Sequence, residues 1–254
     1  MSRHVPALLL LVLVLAGCCS TPDTGRLPPD RLPAQRRLNL SRSEVTDAGL
    51  AELAQLDPIQ RLDLGYTKVT DAGLVHVGAL TDLSELNLIG DRIGDAGLSH
   101  LAQLPKLWVL VLDGTRITDA GLTHLAALPS LADLYLRETR ITDAGLAGLP
   151  RGLGRLYLGG TRITDAGLGN LRQLNDLRTL ELARTDVTDA GLAQLSAMSQ
   201  LEELDLSGTR VTDAGLPQLA ALKGLRALSL TRTRVSDKGA SALRAALPDT
   251  EIRF

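Results

Sequence analysis

Three histidines, His76, His100 and His124, stand 24 residues apart, and imidazoles at a regular spacing are what a zinc site is built from. The geometry argues against one. Equivalent places on adjacent packed helices are about 8–10 Å apart, too far for one ion to take all three nitrogens at about 2.0–2.1 Å. Glu52, Asn170, Gln194 and Gln218 fill the same place elsewhere, which reads as a solvated polar position copied by duplication. A second row, Lys68, Arg92, Arg116, Arg140, Arg162, Arg210 and Arg234, is broken by Asp186 and preceded by Glu44. It could cradle an anionic polymer. Each cation of the row also stands three residues before an Asp, so a solvated ladder of salt bridges is the preferred reading, each exposed pair contributing about 0–1 kcal/mol. The region beyond Cys19 has no thiol, no H-E-x-x-H, no G-x-S-x-G and no phosphate-binding glycine loop. The sequence therefore predicts no enzyme, no metal and no cofactor.

The elements that carry these rows must be small and repeated. Of 254 residues 56 are Leu and only five are aromatic, with 24 Gly, a composition that suggests one small apolar unit used many times. A net charge of −2 and a pI near 6.1 lack the basic excess of a polyanion-binding domain, so nucleic acid is disfavoured. Thr-Asp-Ala-Gly or a near variant recurs with its Asp at Asp47, Asp71, Asp95, Asp119, Asp143, Asp165, Asp189, Asp213 and Asp237, every spacing being 24 except 22 between Asp143 and Asp165. Numbered from Leu107 as position 1, one unit has Leu110 and Leu112 at positions 4 and 6, the alternation of a half-buried strand. Leu122, Leu125 and Leu128 at positions 16, 19 and 22 follow the spacing of one helical face. Thr or Asp before that face is a good N-cap.

These residues resemble the leucine-rich repeat family, with its L-x-x-L-x-L-x-x-N/C-x-L segment, over residues 35–254. The tail I-T-D-A-G-L is most similar to the cysteine-containing subtype of F-box receptors and to bacterial repeat proteins. The family's Asn or Cys at position 9 is here Thr67, Thr115, Thr139, Thr161, Thr185, Thr209 and Thr233, with Ser43 and Asp91 in the other two copies. These side chains are expected to form a weaker version of the family's inward hydrogen-bond ladder to neighbouring loops. No F-box is expected before residue 35, so a ubiquitin-ligase role is not carried over. The resemblance implies an α/β fold, a right-handed solenoid shaped as a horseshoe arc. Strands pack about 4.8 Å apart and helices about 8–10 Å, which puts a parallel sheet on the concave face and short helices on the convex face. Ile252 and Phe254 are expected to close the stack as a tenth strand. The 22-residue unit, with Gly145, Gly148, Pro150, Gly152 and Gly154, is expected to make a convex dent.

The N-terminus reads as an address. Val5 to Gly17 is apolar or small after Arg3, too short to span a bilayer but suited to a secretory signal. Its Leu15-Ala16-Gly17-Cys18 ending resembles a bacterial lipobox, which implies removal of residues 1–17 and lipid on Cys18. Residues 18–34, with Pro22, Pro28, Pro29 and Pro33, read as a flexible tether reaching about 45 Å if extended. The expected product is a monomer in the cell envelope, on the outer membrane or the outer face of the cytoplasmic membrane, meeting the membrane only through its lipid.

Positions 3, 5 and 7 must face the concave surface, where nothing in the fold is expected to dictate their identity. Val109, Val111, Tyr135, Arg137, Arg155 and Tyr157 fall there, with Trp108 at position 2 and Ile89 one strand earlier. Three of the five aromatics thus gather at or beside one central patch, with Arg37 and Arg61 towards one end and Glu181, Glu203 and Asp205 towards the other. Strand propensity alone would scatter such residues. Apolar clusters rimmed by charge mark interaction sites, with Trp, Tyr and Arg as anchors. The leading expectation is a protein or peptide ligand on the concave face, held chiefly by Trp108, Val111, Tyr135 and Tyr157. The alternative is a structural or glycan-contacting envelope protein that uses the Arg row.

Overall fold

The computed structural model describes residues 37–53 and 58–254. The expected signal at 1–17, lipidation at Cys18, the tether at 18–34 and the first two residues of the repeat region lie outside the described residues.

Ten strands of three residues form one sheet in sequence order: Arg37–Asn39 (β1), Arg61–Asp63 (β2), Glu85–Asn87 (β3), Val109–Val111 (β4), Asp133–Tyr135 (β5), Arg155–Tyr157 (β6), Thr179–Glu181 (β7), Glu203–Asp205 (β8), Ala227–Ser229 (β9) and Glu251–Arg253 (β10). All pairs are parallel and in register, so the middle residues Leu110, Leu134 and Leu156 stand side by side. Leucine fills that row because a one-residue slip would turn every apolar side chain outward. Leu110, Leu134, Leu156 and Leu180 are fully buried, together with the position 6 row and the helix leucines such as Leu122 and Leu125. Each unit thus hides its apolar side only by stacking on the next. The result is a leucine-rich repeat solenoid, with the sheet on one side and short helices on the other.

What locks one unit to the next is the recurring tetrapeptide. The Asp119 carboxylate accepts the Thr142 N–H at 2.8 Å and the Thr142 hydroxyl at 2.6 Å, one repeat onward. Asp47 to Thr70, Asp95 to Thr118, Asp143 to Thr164, Asp165 to Thr188, Asp189 to Thr212 and Asp213 to Ser236 repeat this two-pronged contact. Asp71 meets Gly94 and keeps only the bond from the N–H. The Thr hydroxyl then accepts the amide of the following Ala, as Thr118 does from Ala120, capping the helix Asp119–Leu125. Gly completes the motif for want of space: a β-carbon on Gly145 would collide with the Asp119 carboxylate, and Gly97, Gly121, Gly167 and Gly191 face the preceding Asp likewise.

Two expectations about side-chain ladders are corrected by this arrangement. The cation at position 10 does not pair with the Asp three residues on, because that carboxylate already serves the next repeat's Thr. Among the described residues only Lys68 to Glu44 and Arg210 to Asp186 (2.7 Å) pair along the row. Of the position 9 hydroxyls only that of Thr67 bonds across to the next unit, at Asp91, among the described residues. Thr115, Thr139, Thr161, Thr185, Thr209 and Thr233 donate at 2.5–2.7 Å to the Leu carbonyl three residues back in their own unit. Asp91, which in carboxylate form has no proton to donate, is different. Its Oδ1 takes the N–H and hydroxyl of Thr67 in the preceding unit, while its buried Oδ2 has no partner.

Position 8 turns the chain out of each strand and adopts a left-handed backbone. Gly90, Gly114, Gly160 and Gly208 sit there at φ 68–71°, but so do Arg42, Tyr66, Glu138, Arg184 and Arg232 at φ 55–59°. Side chains are disfavoured in that region. The shortened unit carries a single 3-10 turn, Gly145–Gly148, in place of an α-helix. Beside it lies a hollow of about 460 Å³ on the helical side, lined by Leu128, Ala147, Gly148, Pro150 and Gln173.

Candidate recognition site on the sheet face

In-register pairing places Val111 beside Tyr135 and Tyr135 beside Tyr157. The two tyrosine rings stack with centroids 4.2 Å apart and planes 8° from parallel. Both are half-buried. The Arg137 guanidinium lies over the Tyr157 ring at 4.4 Å and over Tyr135 at 5.7 Å, a cation–π arrangement. It is fixed from both sides, by Glu181 at 3.1 Å and Asp113 at 3.3 Å. The result is a preorganised aromatic ridge roofed by a pinned cation.

The tyrosines can occupy position 5 because neighbouring units take over a duty that this position normally performs. At Asn39, Asp63, Asn87 and Asp205 the position 5 side chain accepts the amide two residues on, at 2.8–3.1 Å. A tyrosine ring cannot do so there. The Arg137 amide instead goes to Asp113 of the preceding unit at 2.7 Å, and the Gly159 amide to Glu181 of the following unit at 3.0 Å. Glu181 was expected to be a free contact for a partner. It is 8% exposed and already accepts from Gly159, Ala183 and Arg137, so its identity is dictated by the fold.

Burial sets the charge behaviour of this cluster. Desolvation holds the Glu181, Asp113 and Asp133 carboxyls above the usual carboxylate range, although Arg137 or Arg155 opposes it in each case. Burial alone would lower Arg137, but Glu181 and Asp113 outweigh it and raise its pKa further. Tyr157 is pushed up to about 12, first by burial and then by the neighbouring Tyr135 side chain. The Tyr157 phenol therefore stays neutral, presenting a polar edge beside an apolar face.

The ridge divides two hollows. On the β1–β4 side a hollow of about 180 Å³ is lined by Arg37, Arg61, Glu85, Val109 and Val111. On the other side, about 330 Å³ is enclosed by Arg137, Tyr157, Glu181, Glu203, Asp205 and the small floor residues of β9. Arg155 is exposed on the same face and pairs with the buried Asp133 at 3.0 Å. Trp108 behaves differently. It precedes β4, is 40% exposed and lines neither hollow, so it stands at the margin of the patch. Ile89 accepts the Tyr66 amide with its carbonyl and packs towards Gly65, outside the ridge. Asp113 and Asp133 were not singled out from the sequence. Their signal was a carboxylate one unit before each of Arg137 and Arg155.

His76, His100 and His124 lie on the helical side, and among the described residues no group of His, Cys, Asp and Glu is arranged to hold a metal ion. No helix among the described residues is long and apolar enough to cross a membrane.

Comparison with known proteins agrees with the repeat assignment. A family model described as Leucine Rich repeat matches residues 36–54, 173–196, 198–220 and 225–243. A crystal structure of internalin C2 from Listeria monocytogenes, strain 4b F2365, is similar with a TM-score of 0.59 and 29% identity, covering 82% of this chain and 83% of that one. Both support leucine-rich repeats, and neither indicates a catalytic family. Among curated proteins there is no significant match. Structural matches run to 458 chains, so the fold by itself does not select a partner.

Proposed function

We propose that this protein is a non-catalytic scaffold that binds another protein or a peptide across its sheet face. The observation that carries this reading is the Tyr135–Tyr157 stack under Arg137, pinned by Asp113 and Glu181. Aromatic and Arg side chains already immobilised lose little entropy on binding and make effective anchors. The hollows on either side would receive partner side chains, with Val109 and Val111 on one flank and Glu203 and Asp205 on the other, while Trp108 and Arg155 extend the contact at the margins.

The lipobox-like Leu15-Ala16-Gly17-Cys18 supports a further part of the reading, in which the chain is anchored in the cell envelope as a monomer by lipid on Cys18, with residues 18–34 as tether. Labelling with a radioactive fatty acid tests the anchor: wild type should incorporate label and Cys18→Ala should not. Equal labelling would overturn it. Affinity capture from envelope extract tests the binding face: Tyr135→Ala/Tyr157→Ala should lose partners that Gln194→Ala, on the helical side, retains.

A further inference from the structure

Because Asp95, Asp119, Asp143 and Asp165 are committed to the next unit's Thr, the position 10 cations three residues before them are left without the partners the sequence offered. Among the described residues the row is neutralised only near its ends, at Lys68 with Glu44 and at Arg210 with Asp186. Between them Arg92, Arg116, Arg140 and Arg162 occupy four consecutive units, all exposed. Among the described residues none of the four has a carboxylate within salt-bridge distance or a side-chain hydrogen bond.

The backbone sets these side chains in line. The amides of Arg116, Arg140 and Arg162 each bond the Ile carbonyl of the preceding unit at 2.8–3.0 Å, and Thr70 with Arg92 and Thr142 with Arg162 form parallel bridges. The guanidinium groups therefore leave the fold at the spacing of parallel strands, about 4.8 Å per step. The adjoining turn carries no side chain at Gly90, Gly114 and Gly160, and the one exception, Glu138, is held by Arg184 at 2.6 Å.

We infer that Arg92, Arg116, Arg140 and Arg162 form a binding site for a linear acidic polysaccharide. A polyuronate offers one carboxylate per sugar along an extended chain, and each guanidinium can hold a carboxylate through two parallel hydrogen bonds. Nucleic acid fits less well. Single strands are held by bases stacking on free aromatic faces, whereas no aromatic residue stands at positions 8–12 of these four units, and Tyr135 and Tyr157 stack on each other beneath Arg137. Tyr66, beyond its end, has its ring between Arg42, at 5.4 Å, and Gly90. The motif carboxylates nearby temper the field, so the site is a weak one suited to a repeating ligand. This site is independent of the tyrosine ridge.

The test uses the full-length chain on immobilised polygalacturonate. Wild type should be retained at low salt and released at 1 M salt, where the screening length falls to about 3 Å. Substituting Gln at Arg92, Arg116, Arg140 and Arg162 together should weaken retention by about tenfold or more. A charge-matched variant with Gln at Arg151, Arg172, Arg178 and Arg226 should stay close to wild type, and both variants should show the wild-type circular dichroism and melting temperature. Absence of wild-type retention, or equal losses in the two variants, overturns the site. So does elution of bound wild type by single-stranded oligonucleotide or phosphatidylglycerol vesicles at a lower charge concentration than by soluble polygalacturonate.

Discussion

The carboxylate of Asp119 fills the space that a β-carbon on Gly145 would need, while both its oxygens receive the N–H and hydroxyl of Thr142. The acidic side chain of one unit and the glycine of the next are therefore a single packing device. Asp119→Ala should cost about 2–4 kcal/mol, for two hydrogen bonds to a charged acceptor. Gly145→Ala should also destabilise, by displacing that carboxylate. Combined, the two should cost clearly less than their sum, because the small side chain at 119 leaves room for the new methyl. Urea unfolding of the four chains measures the coupling, and strict additivity would contradict the packing relationship.

Arg232 adopts φ 57° with no ion pair among the described residues to compensate. Arg232→Gly should therefore stabilise the chain by about 1 kcal/mol. The same change at Arg184 should gain less, since Arg184 also pairs with Glu138. Thermal melts of both variants decide it, and a destabilised Arg232→Gly would contradict the argument.

The repeat count, the parallel register and the buried leucine rows were legible because period 24 and the Leu spacing are properties of one unit at a time. What one unit cannot reveal is a bond to the next. Asp119 reads as a helix-start residue in its own repeat, and its role as acceptor for Thr142 appears only when the units stack. The same reason hid the fate of Glu181. Counted along its own strand it faces the open surface, whereas the Gly159 amide that claims it belongs to the preceding unit. Tyr135 and Tyr157 were legible as same-face neighbours, but not as a stack lying under Arg137.

Asp91 gives the stack a pH dependence. Burial pushes its carboxyl up to about 6 from an ordinary 3.8, against the hydrogen bonds from Thr67. A carboxyl with a raised folded-state pKa takes up its proton more readily when folded, so its contribution is most favourable at low pH and is lost as pH rises towards 6. Asp91→Asn keeps an acceptor for Thr67 and removes the charge. It should exceed wild type in stability by up to about 3 kcal/mol at neutral pH, and the gap should close near pH 4. Equal stability of the two chains at pH 7 by urea unfolding would contradict this.

Arg137 balances two poorly solvated carboxylates, Glu181 and Asp113. Arg137→Ala should cost about 1–3 kcal/mol at neutral pH, because those charges lose their partner. Glu181 and Asp113 already lie above their ordinary range, and without the guanidinium they should rise further. Acidification should then recover part of the lost stability, a recovery that unfolding measured at pH 7 and pH 4.5 would detect. A loss that does not change with pH would mean that the cation serves packing alone.

Central to the functional account is that recognition is centred on the tyrosine ridge, while the repeating motif is spent on holding the units together. The most direct measurement is the dissociation constant of a purified captured partner for wild type, for Tyr135→Ala/Tyr157→Ala and for Gln194→Ala. Loss of the two rings should weaken binding by about a hundredfold or more, the scale of two anchor residues, with Gln194→Ala unchanged. Wild-type affinity in the folded double-alanine chain would contradict the account.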